Sequence, residues 1–316
     1  MLLLRVAAAA ITGAAALLSV RRYHRERAIY ALRRELRDAL LLLDDSPAVL
    51  VAGFRAHGKS SFVNTACRVL SAESGPLILR AQTAPGGGAT PEQRRVVRAP
   101  VARPPDGAAG EEEEDDEDGA VVDLIDAPPF PEPRRLTDAD VEAALTGAPT
   151  AECVVLVLRC GGSSKHRHVA VKKLAEVANA IRQRGRSQID RTMTRISPVR
   201  FNFDLGFREK ETDKEQILKY APDILFTIGL QFVVVLTRKN NLKSKREASE
   251  LRQKIIAQVQ INCVYFLENY VVDEMLNFKI PWSMNNQFET HFTTLVIMRQ
   301  CVEFIKVHRC NNSRIM

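Results

Sequence analysis

The sequence predicts an α/β fold: a mostly parallel sheet with helices on both faces. Three observations predict it. The short runs "PAVLVAG", "ECVVLVLRC" and "LQFVVVLT" have the near-continuous hydrophobicity of strands buried on both sides. Longer segments with apolar residues at helical spacing alternate with them. The first run also leads straight into a glycine-containing turn and a helix start, "GFRAHGKSSF". With 316 residues and 46% hydrophobic content, the chain can bury a sizeable core.

The elements follow in order. "MLLLRVAAAAITGAAALLSV" is apolar apart from Arg5, Thr12 and Ser19, and "RRYHRER" follows it. The uninterrupted core, Val6 to Val20, is shorter than the ~20 residues that span a bilayer comfortably, and adding Leu2 to Leu4 makes it long enough. Residues 1–25 are therefore read as a hydrophobic anchor or a presequence. The anchor places the chain on a membrane facing the cytosol; the presequence directs it to a mitochondrion or other organelle. A cleaved secretory signal is the third reading, and the cysteines argue against it. Residues 26–46 carry Ile29, Leu32, Leu36, Leu40 and Leu43 at helical spacing, an amphipathic helix.

"PAVLVAG" is the first strand and Ser60 to Leu70 the next helix, with Phe62, Ala66, Val69 and Leu70 inward. "RRVVRAPV" reads as an edge strand. Residues 103–119 hold the acidic run Glu111 to Asp118, which repels itself and reads as a solvated loop. "AVVDLIDAPPF" is a strand ending in Asp126, and "ECVVLVLRC" another. Lys165 to Arg184 is a helix with Val169, Leu174, Val177 and Ile181 inward. "LQFVVVLTRKN" is a strand, Ser244 to Val259 a basic helix, "NCVYFLENY" the last strand and Gln287 to His308 the closing helix. Residues 186–229 break this rhythm: they lack periodicity and are rich in Arg, Thr, Asp and Lys. They read as an insert outside the sheet, either a lid or docking segment or translated intervening sequence. The main domain spans 47–309 and a tail 310–316.

Composition narrows the function. Lys and Arg number 45 against 38 Asp and Glu, a net charge of +7. No aromatic residues interleave with the cations, which argues against nucleic acid and for a solvated surface or an anionic membrane. None of Cys67, Cys153, Cys160, Cys263, Cys301 and Cys310 forms a C-x-x-C pair, so they read as reduced, mostly buried thiols.

The stretch from Gly53 to Ser60 matches G-x-x-x-x-G-K-[ST], the phosphate-binding loop. Strand, glycine turn and helix are the context that pattern needs. Backbone N–H groups around Gly53, Ala56, His57, Gly58, Lys59, Ser60 and Ser61 would surround phosphates. Lys59 would reach the outer phosphates, and the Ser60 hydroxyl would ligate Mg²⁺. The following helix adds the positive end of its dipole. These features specify the three-layer P-loop NTPase form of the α/β fold.

Three further stretches carry a resemblance. "VVDLIDAPPF" resembles the "LIDTPG" segment of GTPases, "VVVLTRKN" their guanine-reading "[NT]-K-x-D", and "VYFLENY" the last base-contacting strand end. The chain resembles translation-factor-class GTPase domains. It looks closest to the group of interferon-induced protein forty-four, distantly related to dynamins and septins. The resemblance covers Pro47 to His308 less the insert. It implies GTP or GDP as ligand and Mg²⁺ as cofactor, with Ser60, Asp126 and Thr90 on the metal side; Thr83 is the alternative to Thr90. It puts Thr237, Arg238, Asn240, Glu268 and Asn269 around the base.

Departures from the pattern bear on activity. The glycine that would donate its N–H to a γ-phosphate is Pro129 here, which has none. The neighbouring Phe130 cannot orient a water. Asn240 stands where an aspartate would accept two guanine hydrogen bonds, and it offers one acceptor oxygen and a donor amide. No catalytic residue is assigned, Arg55 and His57 included. Two readings follow: a membrane-attached GTPase of low activity that a protein partner or a second copy completes, and a pseudo-GTPase scaffold. An ATP-dependent kinase fits less well, because no acceptor-binding motif or lid arginine cluster is evident.

Overall fold

A computed structural model describes residues 2–82, 94–103, 119–195, 230–270 and 287–315, the side chains of 2–12, 185–195 and 311–315 excepted. Helix α1 (Leu2–Leu41) precedes β1 (Ala48–Gly53) and α2 (Lys59–Leu70). Strands β2 (Arg95–Pro100) and β3 (Val121–Asp126) come next, then α3 (Asp138–Leu145), β4 (Cys153–Arg159) and α4 (Ser164–Arg195). The chain closes with β5 (Gln231–Thr237), α5 (Lys245–Val259), β6 (Val264–Leu267) and α6 (Phe288–Ile315).

The described strands form one sheet in the order β2-β3-β1-β4-β5-β6. Only β2 runs antiparallel, against β3. Every residue of β1 is buried, as a central parallel strand requires. Alternation along the strands divides two cores. Val49, Val51, Val155 and Val235 face α1, α2 and α6, where they meet Leu36, Phe62, Cys67, Met298 and Ile305. Leu50, Leu156, Val234 and Leu236 face α3, α4 and α5, where they meet Val141, Leu174, Ile181 and Ile255. Each such fully buried side chain contributes about 1.5–3 kcal/mol relative to exposure.

The sheet register positions the site. Val51 lies opposite both Asp126 and Val155, and Thr237 opposite both Arg159 and Leu267. The carboxyl ends of the parallel strands therefore share one edge. The chain moves from β1 to β3 on one side and then to β4 on the other, so strand order reverses at β1. A crevice opens outside the carboxyl ends at such a reversal.

Several elements differ from the sequence expectation. The hydrophobic segment and the amphipathic helix are one continuous helix, α1. Its inward residues are those expected: Leu36 and Leu40 are buried, and Ile29, Leu32 and Leu43 pack against the same core. Among the described residues, no helix is long and apolar enough to cross a membrane. Helix α4 continues to Arg195, inside the segment expected as an insert. Residues 196–229 and 104–118 lie outside the described residues, so the rest of the insert and the acidic loop do too. Helix α3 was not expected. The capping box between Thr137 and Asp140 sets its start: Thr137 N–H donates to Asp140 Oδ2 at 2.9 Å, and Asp140 N–H to Thr137 Oγ1 at 3.3 Å.

Candidate functional site

The loop after β1 is held open by backbone geometry. A Cβ on Gly53 would lie 2.5 Å from the Val157 carbonyl oxygen, so only glycine lets β1 and β4 approach there. Ala56 and Gly58 both have positive φ, 60° and 88°. Gly58 is the N-cap of α2 and supplies no side-chain cap. The first-turn N–H groups of α2 have no intrahelical acceptor and stand at the positive end of the helix dipole. Phosphate oxygens suit that position.

Beside this turn three polar side chains converge. Lys59 and Asp126 are each 6% exposed and Ser60 9%. The Lys59 ammonium donates to Asp126 Oδ1 in a buried ion pair, and Ser60 Oγ donates to Asp126 Oδ2 at 2.8 Å. One carboxylate thus restrains both the cation that would meet phosphates and the hydroxyl that would meet a metal. The donors are hard oxygens, which suits Mg²⁺. Among the described residues, no group of three His, Cys, Asp or Glu side chains could hold a metal ion. A cation at Ser60 and Asp126 would therefore complete its shell with water and ligand oxygens. Thr90 and Thr83 lie outside the described residues. The chain just before them is fixed to α2, because the buried Asn64 accepts from the N–H groups of Arg80 and Ala81 and donates to the Ala81 carbonyl.

The residues expected around a base stand on the other side of the loop. Thr237 is buried, and its hydroxyl donates to the His57 carbonyl at 2.7 Å. Asn269 Nδ2 donates to the Gly58 carbonyl at 3.1 Å, while its buried Oδ1 has no partner among the described residues. Both side chains tie the loop of residues 53–60 to the ends of β5 and β6. Arg238 adopts φ 57° and opens a short turn, Lys239–Asn241, in which Asn240 is exposed. The Asn240 N–H donates to Glu268 Oε2 at 3.2 Å. Ser61 is half-buried, its carbonyl accepting from Thr65 Oγ1 at 2.8 Å.

His57 lies within the loop, with Nδ1 accepting from the Arg159 N–H at 3.3 Å. Burial, with Arg159 and Arg238 nearby, pushes its pKa down to about 4, so the ring is neutral at pH 7.

The structure gives Phe130 a role that sequence reading missed. Phe130 N–H donates to the Gly53 carbonyl, and Phe130 O accepts from the Arg55 N–H, both at 2.9 Å. The side chain is fully buried, its ring 5.7 Å from that of Phe54. The segment beyond Asp126 is thus stitched along the loop of residues 53–60. The apolar residue after two prolines was the available signal. Thr290 was also missed: its hydroxyl donates to the Glu268 carbonyl at 3.0 Å from a helix distant in sequence.

No protein-family model matches the chain, and no curated protein matches it. Solved structures similar to it include a variant of SsGBP, 11% identical, covering 71% of this chain and 50% of that one with a TM-score of 0.31. The chain spans half the length of that protein. The signal recognition particle receptor SRb-GTP/SRX complex from Chaetomium thermophilum is 10% identical, covering 72% of this chain and 95% of that one, with a TM-score of 0.37. The ADP ribosylation factor-like GTP-binding protein, small COPII coat GTPase SAR1, from Encephalitozoon cuniculi in complex with GDP is 10% identical, covering 94% of this chain and 95% of that one, with a TM-score of 0.34. Overlaps this slight say nothing about what the present chain binds.

Proposed function

We propose that this chain is a guanine-nucleotide-binding protein with low or partner-dependent GTP hydrolysis, attached to a membrane through its N-terminal segment. The convergence of Lys59, Ser60 and Asp126 beside the Gly58-capped start of α2 carries the nucleotide reading. Triphosphate oxygens would accept from the α2 N–H groups and from Lys59, drawing the ammonium away from Asp126. Mg²⁺ would bind Ser60 Oγ directly and Asp126 through water, and would neutralise phosphate charge there. The chain's own contribution to hydrolysis would be positioning and charge, because Pro129 has no N–H to offer and Phe130 is buried. A protein partner or a second copy would then supply the group that orients water.

The same stitching of Phe130 favours a second reading, a scaffold that holds nucleotide without turnover. The membrane proposal is supported by exposed Leu17, Leu18, Val20 and Tyr23 on α1, beside Arg21, Arg22, Arg25 and Arg27. This pattern suits an anionic, cytosol-facing surface. Import into a mitochondrion or other organelle is the alternative.

The test is equilibrium binding of labelled GTP, GDP and ATP analogues to the full chain with Mg²⁺, beside Lys59→Ala. Guanine-selective binding is expected, weakened about 10- to 150-fold by the substitution, the value of a charged hydrogen bond. Failure of the folded wild type to bind any nucleotide would refute the proposal, and equal binding of ATP would remove its guanine half.

A further inference from the structure

The geometry points to Glu268 as the carboxylate that reads the guanine edge, in place of the aspartate missing at Asn240. The inference rests on the nucleotide reading above. Guanine presents two adjacent donors, N1–H and the 2-amino group. A carboxylate can accept both, whereas Asn240 has one acceptor oxygen, and its NH₂ would face a donor.

The fold brings a carboxylate to that place from the neighbouring strand. Thr237 and Leu267 are register partners at the ends of β5 and β6, so the turn holding Asn240 and the residue after β6 are adjacent. Glu268 Oε2 accepts the Asn240 N–H at 3.2 Å. The Glu268 backbone is fixed as well, its carbonyl accepting from the buried Thr290 hydroxyl at 3.0 Å. The next residue, Asn269, bonds the phosphate loop at Gly58. Glu268 is thus tied to the base turn on one side and stands one residue from the phosphate loop on the other.

Its second oxygen, Oε1, takes no hydrogen bond among the described residues, and no Arg or Lys pairs with the carboxylate there. It is half-buried, which strengthens a charged acceptor relative to one in open water. Capping the Lys239–Asn241 turn needs only one of its oxygens. A cap alone would make the residue structural, so the test must read base selectivity.

The experiment compares GTP, ITP and XTP binding to the full chain with Mg²⁺, for wild type, Glu268→Gln and Asn240→Asp. ITP lacks the 2-amino donor, and XTP carries an acceptor in its place. Wild type is expected to prefer GTP to both by about ten-fold or more. Glu268→Gln keeps an acceptor for the Asn240 N–H; it should weaken GTP most and ITP less, because ITP keeps N1–H and lacks only the 2-amino donor, and so collapse the GTP/ITP ratio. Asn240→Asp should give no ten-fold gain for GTP, because a carboxylate already reads it, and this arm stands even if Glu268→Gln fails to fold. A wild type that prefers XTP, a Glu268→Gln protein that keeps the ratio or weakens all three equally, or a ten-fold gain in Asn240→Asp would each overturn the assignment. Absence of any nucleotide binding by folded wild type would instead sink the nucleotide reading, and Glu268 with it.

Discussion

Phe130 has two possible descriptions, and only one predicts a large stability effect. As a loop residue in place of a water-orienting group it would tolerate replacement. As a fully buried ring against Phe54 with both backbone groups bonded to the loop of residues 53–60, it would not. Phe130→Ala is expected to lower unfolding free energy by about 3–5 kcal/mol, measured by denaturant titration. A loss under 1 kcal/mol on the order of a surface change would show that the ring is not packed as described. At this scale the sequence was legible where the chemistry is local. Gly58, Lys59 and Ser60 are contiguous, and their positions follow from the loop pattern. Asp126 was legible as a strand end. The roles of Phe130 and Thr290 were not, nor was the contact of Glu268, itself expected near the base, with the Asn240 N–H, because each depends on a partner distant in the chain.

Elements were legible in proportion to their periodicity. The buried strands β1, β4 and β5 announce themselves by continuous apolar runs, and α2 by its spacing of Phe62, Ala66, Val69 and Leu70. Helix α3 has eight residues and a weak apolar face, so only its cap marks it. That makes the cap a sharp test. Thr137→Ala should cost about 1 kcal/mol by the same titration, as for other N-cap losses. No change would mean that packing of Val141 and Leu145 alone holds the helix.

At the scale of the whole molecule, two histidines link stability to pH. His57 and His291 both have pKa values pushed down to about 4 from 6.5, mainly by burial and then by nearby arginines. For His291 those neighbours are Arg33 on α1 and Arg68 on α2, while its ring packs against Tyr270. Between about 6.5 and 4 the unfolded chain takes up protons that the folded chain refuses. Their contribution is therefore fully present above pH 6.5 and is lost as pH falls toward 4. His291→Gln should flatten the fall in denaturation midpoint across that window. An unchanged slope would rule out His291 as a source of it.

The order of the strands and of the helices other than α3, the turn at residues 53–60 and the inward apolar residues were readable from the sequence alone. These depend on composition, spacing and local turn chemistry, which the chain carries in contiguous stretches. Tertiary structure alone decided that Lys59 and Ser60 meet one Asp126 carboxylate, that Thr237 and Asn269 fasten the loop, and that Glu268 joins Asn240. Those contacts arise from parallel register between strands separated by long crossovers. Register is set by how two faces of the sheet bury their alternate side chains together, and no single segment encodes it.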